Sequence, residues 1–550
     1  MRLLINFLVS FNNIKKRIDW KVNSRKGDNM RKENSIKNIT IGVMSQLVIA
    51  ILGFISRKVF LDNLNVAYLG INGLLTNVLS LLGLVEAGIG GSIVYNLYKP
   101  LAEDNKPKVA ALIQLYKKAY RILALVILVL SIGLYPIIRG MVAGEELIEN
   151  FNIVYSIFIL KNILAYLYSH KWCIINADQK NYILTRVNLL FNIIVAIVKI
   201  GILIITKSYI LFLLIETILI IGESIYKARI VDRLYPYINT IKNSYLDNDT
   251  KENIIKNVKA LFLHNIGGFF VFGTDNLLIT KFVGVGAVGI YSNYSMIINQ
   301  LVNIIVPILN GVGASIGNLI ATESKEKNYT IFKVTYLVNF WIYSVCVIFL
   351  FNLLNPFIKW WIGREYLLDT FTLVIILLNC YITGIRNSIG TFKSKAGIFV
   401  EDKYFPLIES AINLVASIIL VKYLGLVGIF IGTTISTLST VFWNIPRLTY
   451  KYVFDKPVIN YFKKYVFYLI LTTICTVITM GLCNLLVKGE GFISLILRGI
   501  ISLTVPNIIY ILIFFKTKEF QYLLDSSKKI LCKFNLFSLK NINKNKVLSK

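Results

Sequence analysis

The chain reads as long blocks of apolar residues separated by short polar connections. Fourteen blocks stand out, at roughly 36–61, 69–98, 119–142, 152–170, 183–206, 208–227, 257–281, 288–318, 330–354, 366–388, 406–422, 424–446, 464–487 and 492–516. Most approach the 20 or so residues that a helix needs to cross the hydrocarbon core of a bilayer. No water reaches the backbone there, so each block must satisfy its own hydrogen bonds, and none shows the alternation of barrel strands. The expected fold class is an all-α integral membrane protein with about 14 transmembrane helices.

Composition agrees with this and adds a direction. Of 550 residues 56% are hydrophobic and 16% charged, against about 25% charged in a soluble domain. The charged minority is lopsided, with 59 Lys and Arg against 29 Asp and Glu and a formal net charge of +30. On a soluble chain such an excess would point to nucleic acid. Its placement argues otherwise. Residues 1–37 hold ten basic side chains, 99–121 six, 171–186 three, 227–259 seven, 319–333 three, 386–403 four, 447–464 five and 516–550 nine, together 47 of the 59. The alternate connections are nearly bare: Asp62 to Leu69 has no basic residue, and 143–151 carries Glu145, Glu146 and Glu149. Lys and Arg are retained on the cytoplasmic side, so a multi-pass protein with both termini cytoplasmic is expected. The basic side chains are spread over eight segments that face membrane lipids, and no nucleic-acid partner is expected.

Residues 1–35 read as a cytoplasmic basic N-terminal segment and not as a cleavable signal. The apolar stretch Leu3 to Val9 is short, a basic segment follows it, and no small-residue cleavage site appears before the first block. Residues 517–550, rich in Lys and Asn, read as a cytoplasmic basic tail able to lie on the membrane surface. The six cysteines form no C-x-x-C pair, and His170 and His264 are the only histidines. Neither a disulfide framework nor a metal site is expected.

An internal repeat organises the blocks. Val59-Phe-Leu-Asp-Asn-Leu-Asn-Val-Ala-Tyr-Leu-Gly70-Ile71 is echoed 219 residues later by Leu278-Ile-Thr-Lys-Phe-Val-Gly-Val-Gly-Ala-Val-Gly289-Ile290. Gly91-Ser92-Ile93 matches Ala314-Ser315-Ile316, and Lys180-Asn181-Tyr182 with Asn192 matches Asp402-Lys403-Tyr404 with Asn413. Helices one to six are thus repeated as seven to twelve. Because six is even, the copies share one orientation, related by an axis along the membrane normal. The expected organisation is a lobe at 36–227, a cytoplasmic loop at 228–256, a second lobe at 257–446, an additional helix pair at 464–516 and the tail. Two lobes flanking a cleft suit a transporter that opens to either side by rocking.

Several motifs resemble one family. Tyr68-Leu-Gly-Ile-Asn-Gly73, Leu84-Val-Glu-Ala-Gly-Ile-Gly90 and Tyr95-Asn-Leu-Tyr-Lys-Pro100 look like the opening of Wzx-type polysaccharide flippases. So do Thr274-Asp-Asn-Leu-Leu-Ile279, Gly289-Ile-Tyr-Ser-Asn-Tyr294, Glu401-Asp402 before Asn413, and Gly425-Leu-Val-Gly-Ile-Phe-Ile-Gly-Thr433 leading to Trp443 and Pro446. The resemblance spans roughly 36 to 516. It places the chain in the multidrug/oligosaccharidyl-lipid/polysaccharide exporter (MOP) superfamily and implies a V-shaped, MATE-like pair of lobes in a bacterial cytoplasmic membrane. The implied activity is translocation of undecaprenyl-diphosphate-linked oligosaccharide for surface polysaccharide, by alternating access. Polysaccharide polymerase and glycosyltransferases are implied partners. The additional helix pair is similar to the one separating such flippases from twelve-helix drug exporters.

An anionic diphosphate-sugar headgroup calls for a hydrated cationic cleft, and ionisable groups at membrane depth cost about 2.5–3.5 kcal/mol each on insertion scales. They are therefore the candidates. Arg57 and Lys58 at the outer end of helix one are either diphosphate contacts or snorkelling interface residues, and Glu86 inside helix two is either a counter-ion or coupling carboxylate or a packing pin. His264 and Asp275 in helix seven are eleven residues apart and share a face. Asp275 takes the repeat position of Ser56, beside Arg57, so an Arg57–Asp275 pair could gate the lobe interface or couple an ion. Lys161, Lys199 and Glu216 at mid-depth form either a structural ion group or a substrate contact, and Glu223 shares the face of Glu216. Arg386 and Glu409, near the cytoplasmic ends, are expected to be boundary residues.

Other signals are discounted. Gly284-Val-Gly-Ala-Val-Gly289 fits G-x-G-x-x-G without the strand a dinucleotide site requires, Asp247-Asn-Asp249 stands alone in a loop, and no ATP-binding P-loop motif occurs. No cofactor is expected, with a H+ or Na+ gradient or the membrane potential as energy source. An enzyme is not expected, because the outer connections are short. An ion-coupled multidrug or metabolite antiporter is the alternative, disfavoured by the additional pair. The lipid II branch is known for several first-lobe arginines, whereas residues 36–98 offer Arg57, Lys58 and the opposite charge of Glu86.

Overall fold

A computed structural model describes residues 26–83, 96–101, 103–142, 150–178, 180–241, 273–310, 316, 319–320, 322–398 and 401–525, with isolated positions between 246 and 258. Each of the fourteen apolar blocks carries helix. In chain order these are α1 Lys26–Asn63, α2 Val66–Gly83, α3 Lys106–Val142, α4 Phe151–Ser169, α5 Asn181–Thr206, α6 Tyr209–Leu234, α7 Asp275–Phe282, α8 Val285–Asn310, α9 Lys325–Trp361, α10 Thr370–Lys395, α11 Phe405–Leu424, α12 Leu426–Ser439, α13 Ile459–Leu486 and α14 Phe492–Phe514. The helix of α12 runs on through Val441–Thr449 and a π-turn at Tyr450–Phe454. Eleven helical segments among the described residues are long and apolar enough to cross a membrane.

Helix boundaries follow local chemistry. Ser208, Ser324 and Asp369 are extended N-cap residues whose side chains accept from the amides of Leu211, Lys327 and Thr372, the expected satisfaction of first-turn donors. The helix α3 starts at Lys106, well before its apolar block. That extra stretch is amphipathic, burying Val109, Leu112, Ile113 and Tyr116 while Lys117 and Lys118 face outward. A hydropathy window averages such a turn with its charges and misses it.

The packing repeats as the sequence does. In the first half α3 packs on α4, α4 on α6, α5 on α6 and α1 on α5; in the second half α9 packs on α10, α10 on α12, α11 on α12 and α7 on α11. Every one of these pairs is shifted by six helices, which is what a parallel duplication requires. The halves meet mainly through α2 against α8. There a Cβ on Gly70 would collide with the carbonyl oxygen of Val285, and one on Gly289 would stand 2.5 Å from that of Val66. Only a hydrogen at each position lets two backbones come this close. Both glycines and both valines are related by the 219-residue offset.

The additional pair α13 and α14 has no counterpart in the duplication and packs on α9. Trp341 donates its indole N–H to Asn507 Oδ1 at 2.6 Å, the hydroxyls of Ser344 and Tyr510 are bonded, and Phe340 stacks on Tyr468 with centroids 4.0 Å apart. Away from α9, Ile493, Ile496, Ile508 and Leu512 stay exposed, an apolar wall suited to lipid.

Candidate functional site

Among the described residues two sites with ionisable side chains inside the helices stand out, one per half. In the first half, Glu216 on α6 lies 3.1 Å from Lys199 Nζ on α5 and 3.6 Å from Lys161 Nζ on α4. Lys199 also sits over the Phe212 ring, 4.1 Å from its centroid, and Lys161 over Phe158 at 5.1 Å. One carboxylate thus serves two ammonium groups, all three no more than a quarter exposed. Because α1 packs on α5, Arg57 comes within electrostatic reach of Lys199. Three cations against one carboxylate leave this wall positive.

Arg57 itself reaches across to the second half. Its Nη1 donates to Ser292 Oγ at 2.8 Å and to Asn293 Oδ1 at 3.2 Å, both on α8. The expected pairing with Asp275 is therefore corrected, since α1 faces α8 at this depth and not α7. The duplication explains the geometry. The repeat position of Arg57 is Asn276 and that of Ser292 is Gly73, and the Asn276 amide nitrogen lies 3.6 Å from where a Gly73 Cβ would be. The same contact is made twice, and only one copy carries a charge.

Lys58 does not join this group. It is half exposed and pairs with Asp62, 3.3 Å away and one turn on, because successive residues of a helix point about 100° apart. Glu86 and His264 lie outside the described residues. Glu223 pairs with Lys227 at 2.6 Å and not with the Glu216 group.

The second half holds a cavity of about 370 Å³ lined by Asp275, Tyr291, Ser295, Asn299, Asn379, Asn387 and Thr433, among others. Asp275, at the first turn of α7, is buried and its Oδ1 has no hydrogen-bond partner among the described residues. The side-chain oxygens of Asn276 and Asn413 are buried without partners as well, and Asn413 donates to Thr433 Oγ1 at 3.0 Å. A buried carboxylate without a partner at membrane depth is costly, which singles out Asp275 in this half. No cluster of three His, Cys, Asp or Glu capable of holding a metal occurs among the described residues.

Arg386 is not a boundary residue, and Glu409 lies near the start of α11, as expected, but is buried and engaged. Glu409 is buried, accepts from Thr437 Oγ1 at 2.9 Å and lies 4.0 Å from Arg386 Nη1. The helix α10 continues to Lys395, so Arg386 sits more than two turns from its end. A readable signal existed: Glu409 and Asn413, and likewise Thr433 and Thr437, are four residues apart and share helix faces.

Comparison with known proteins places this geometry on a known fold. A structure described as lipid II flippase MurJ in an inward closed conformation matches with a TM-score of 0.61 at 14% identity, over 86% of this chain and 99% of that one. A Vibrio cholerae MATE transporter matches at 0.51, 12% identity, over 78% and 99%. An outward-facing multidrug resistance MATE family transporter of the MOP superfamily matches at 0.50, 14% identity, over 78% and 99%. At these identities the likeness establishes the fold, a multi-pass helical membrane architecture of MurJ/MATE type. No family model and no curated protein matches the sequence.

Proposed function

We propose that this protein translocates undecaprenyl-diphosphate-linked oligosaccharide across a bacterial cytoplasmic membrane by alternating access, as a Wzx-type flippase. The observation that carries the reading is the charge of the first-half wall. Lys161 and Lys199 share the single carboxylate of Glu216, and Arg57, within electrostatic reach of Lys199, adds a third cation with no carboxylate of its own among the described residues. Such a wall attracts a diphosphate, and a shared carboxylate lets the lysines exchange one anion for another, which a transporter needs for release as much as for binding. Arg57 is then both a substrate contact and a latch, since binding a diphosphate competes with its bonds to Ser292 and Asn293. Asp275 and its cavity in the second half serve ion coupling, binding H+ or Na+ in one state of the cycle.

The additional pair α13 and α14 supports a lipid-linked substrate, since it extends the apolar wall beyond the two repeated halves. Both kinds of relative share the fold, and the chain coverage is larger for the flippase, 86% against 78%. The antiporter alternative would want a cavity favouring cations on both walls, and the first wall is positive.

The test is reconstitution in proteoliposomes with a fluorescent undecaprenyl-diphosphate oligosaccharide, read by dithionite quenching of the outer leaflet. Translocation faster than in protein-free vesicles is expected. No acceleration, together with uptake of a cationic dye, would replace this reading with the antiporter.

A further inference from the structure

Twelve basic residues lie outside the eight basic-rich connections, and four of them converge on one spot of the basic-poor face. Lys359 ends α9, Arg364 follows in the turn to α10, Lys488 lies in the α13–α14 connection, and Arg498 is on the second turn of α14. Retaining four cations here runs against the charge rule that depletes the outer face, so their grouping calls for a ligand. Between these elements is a pocket of about 240 Å³, lined by Lys359, Arg498, Ser494 and Glu490 over an apolar floor of Pro356 and Leu495.

The charges are unbalanced. Glu490 is bonded by Lys359 and lies 3.2 Å from Arg364 Nη2, so the one lining carboxylate is shared by two cations. The Arg498 guanidinium has neither an ion pair nor a hydrogen-bond acceptor among the described residues. Nearby, Asp369 is engaged in capping α10, and Glu365 folds back over Gly363. A planar guanidinium with a lysine and a hydroxyl alongside matches phosphate oxygens in number and geometry. Beside the mouth, Ile493 and Leu497 of α14 are exposed and apolar, a track for hydrocarbon chains leading from the pocket into the membrane.

We infer that this pocket binds the phosphate headgroup of an outer-leaflet lipid, with Arg498 and Lys359 as its anion contacts and the chains lying along α14. The shared chemistry is a lipid phosphate, whose source is either an anionic phospholipid or a polyprenyl phosphate. This site is separate from the first-half wall and does not rest on the translocation proposed above.

The experiment is native mass spectrometry of the full chain released from maltoside micelles, with phosphatidylglycerol, undecaprenyl phosphate or uncharged diacylglycerol added separately. Losing one charge-assisted contact weakens binding by about tenfold, so Arg498→Gln and Lys359→Gln should each lower retention of a phosphate lipid by that factor. Glu490→Gln should raise it, and Lys281→Gln, an exposed cation elsewhere on the same face, should leave it unchanged. Loss confined to undecaprenyl phosphate assigns the site to the polyprenyl source, and equal loss of both lipids assigns it to phospholipid. The inference is overturned if Arg498→Gln and Lys359→Gln retain phosphate lipids like the parent, if Lys281→Gln loses as much as they do, or if diacylglycerol binds equally well. Thermal unfolding of each variant separates a lost contact from a lost fold.

Discussion

Gly70 lies against the backbone carbonyl of Val285, and the relation recurs between Gly289 and Val66. Two helices from different halves thus touch backbone to backbone at one level of the membrane, beside the bonds of Arg57 to Ser292 and Asn293. This is where the halves are held together.

A methyl group at either glycine should therefore pry the halves apart. Overpacking of this kind costs about 1–3 kcal/mol, enough to shift a closed–open balance by roughly tenfold. Val288, buried against Gly73, reports on it: labelling of a Val288→Cys variant by a membrane-impermeant thiol reagent should rise in Gly70→Ala and Gly289→Ala. Gly286→Ala, whose added Cβ would be 4.0 Å from Val66, should label like the parent. Equal labelling in all three would rule out the glycine contact as the closure.

Arg57→Ala should abolish surface polysaccharide without lowering the amount of protein in the membrane. Ser292→Ala should be milder, because Asn293 still accepts from the same nitrogen. Normal export from well-expressed Arg57→Ala would remove Arg57 from the transport path.

The shared carboxylate of Glu216 makes an asymmetric prediction for stability. Glu216→Gln strands two cations, whereas Lys199→Gln leaves Glu216 paired with Lys161. Breaking a buried pair costs roughly 3–5 kcal/mol when a charge is left uncompensated, and partial exposure of these side chains lowers that figure. Thermal unfolding in detergent should show a clearly larger loss for Glu216→Gln. The reverse order would mean that Glu216 is not the hub of the group.

Asp275→Asn keeps the shape of the second-half cavity and removes its ionisable group. Translocation in proteoliposomes should then no longer depend on an imposed H+ or Na+ gradient, while gradient-free exchange persists. Unchanged gradient dependence would exclude Asp275 as the coupling residue.

The helices were legible in the sequence because apolar length marks a crossing, and the fixed 219-residue offset between segments is matched by helix pairs that recur six helices on. The same offset pointed to Gly70 and Gly289 without revealing that they touch, since contact depends on where the axis falls. Arg57 was found by its cost at depth, but its partner was misassigned to Asp275, because neighbours in sequence register can point to different helices. Arg386 and Glu409 were missed for different reasons. The helix of Arg386 continues to Lys395, past its apolar block, so a charged residue near the block's end looks like a border. Glu409 does lie near the start of its helix, and its burial depends on packing against Thr437 and Arg386, which no one-dimensional pattern carries.

The contact of Gly70 with Val285 and of Gly289 with Val66 is the one that two copies of a six-helix chain would make around a two-fold axis. Each half supplies the knob and the socket that the other needs. Holding the halves in register is thus the work of this self-complementary surface. The uncharged counterpart of the Arg57 contact, Asn276 beside Gly73, then becomes the blank against which the charged half can be read: the two contacts share a shape, and only one carries a charge.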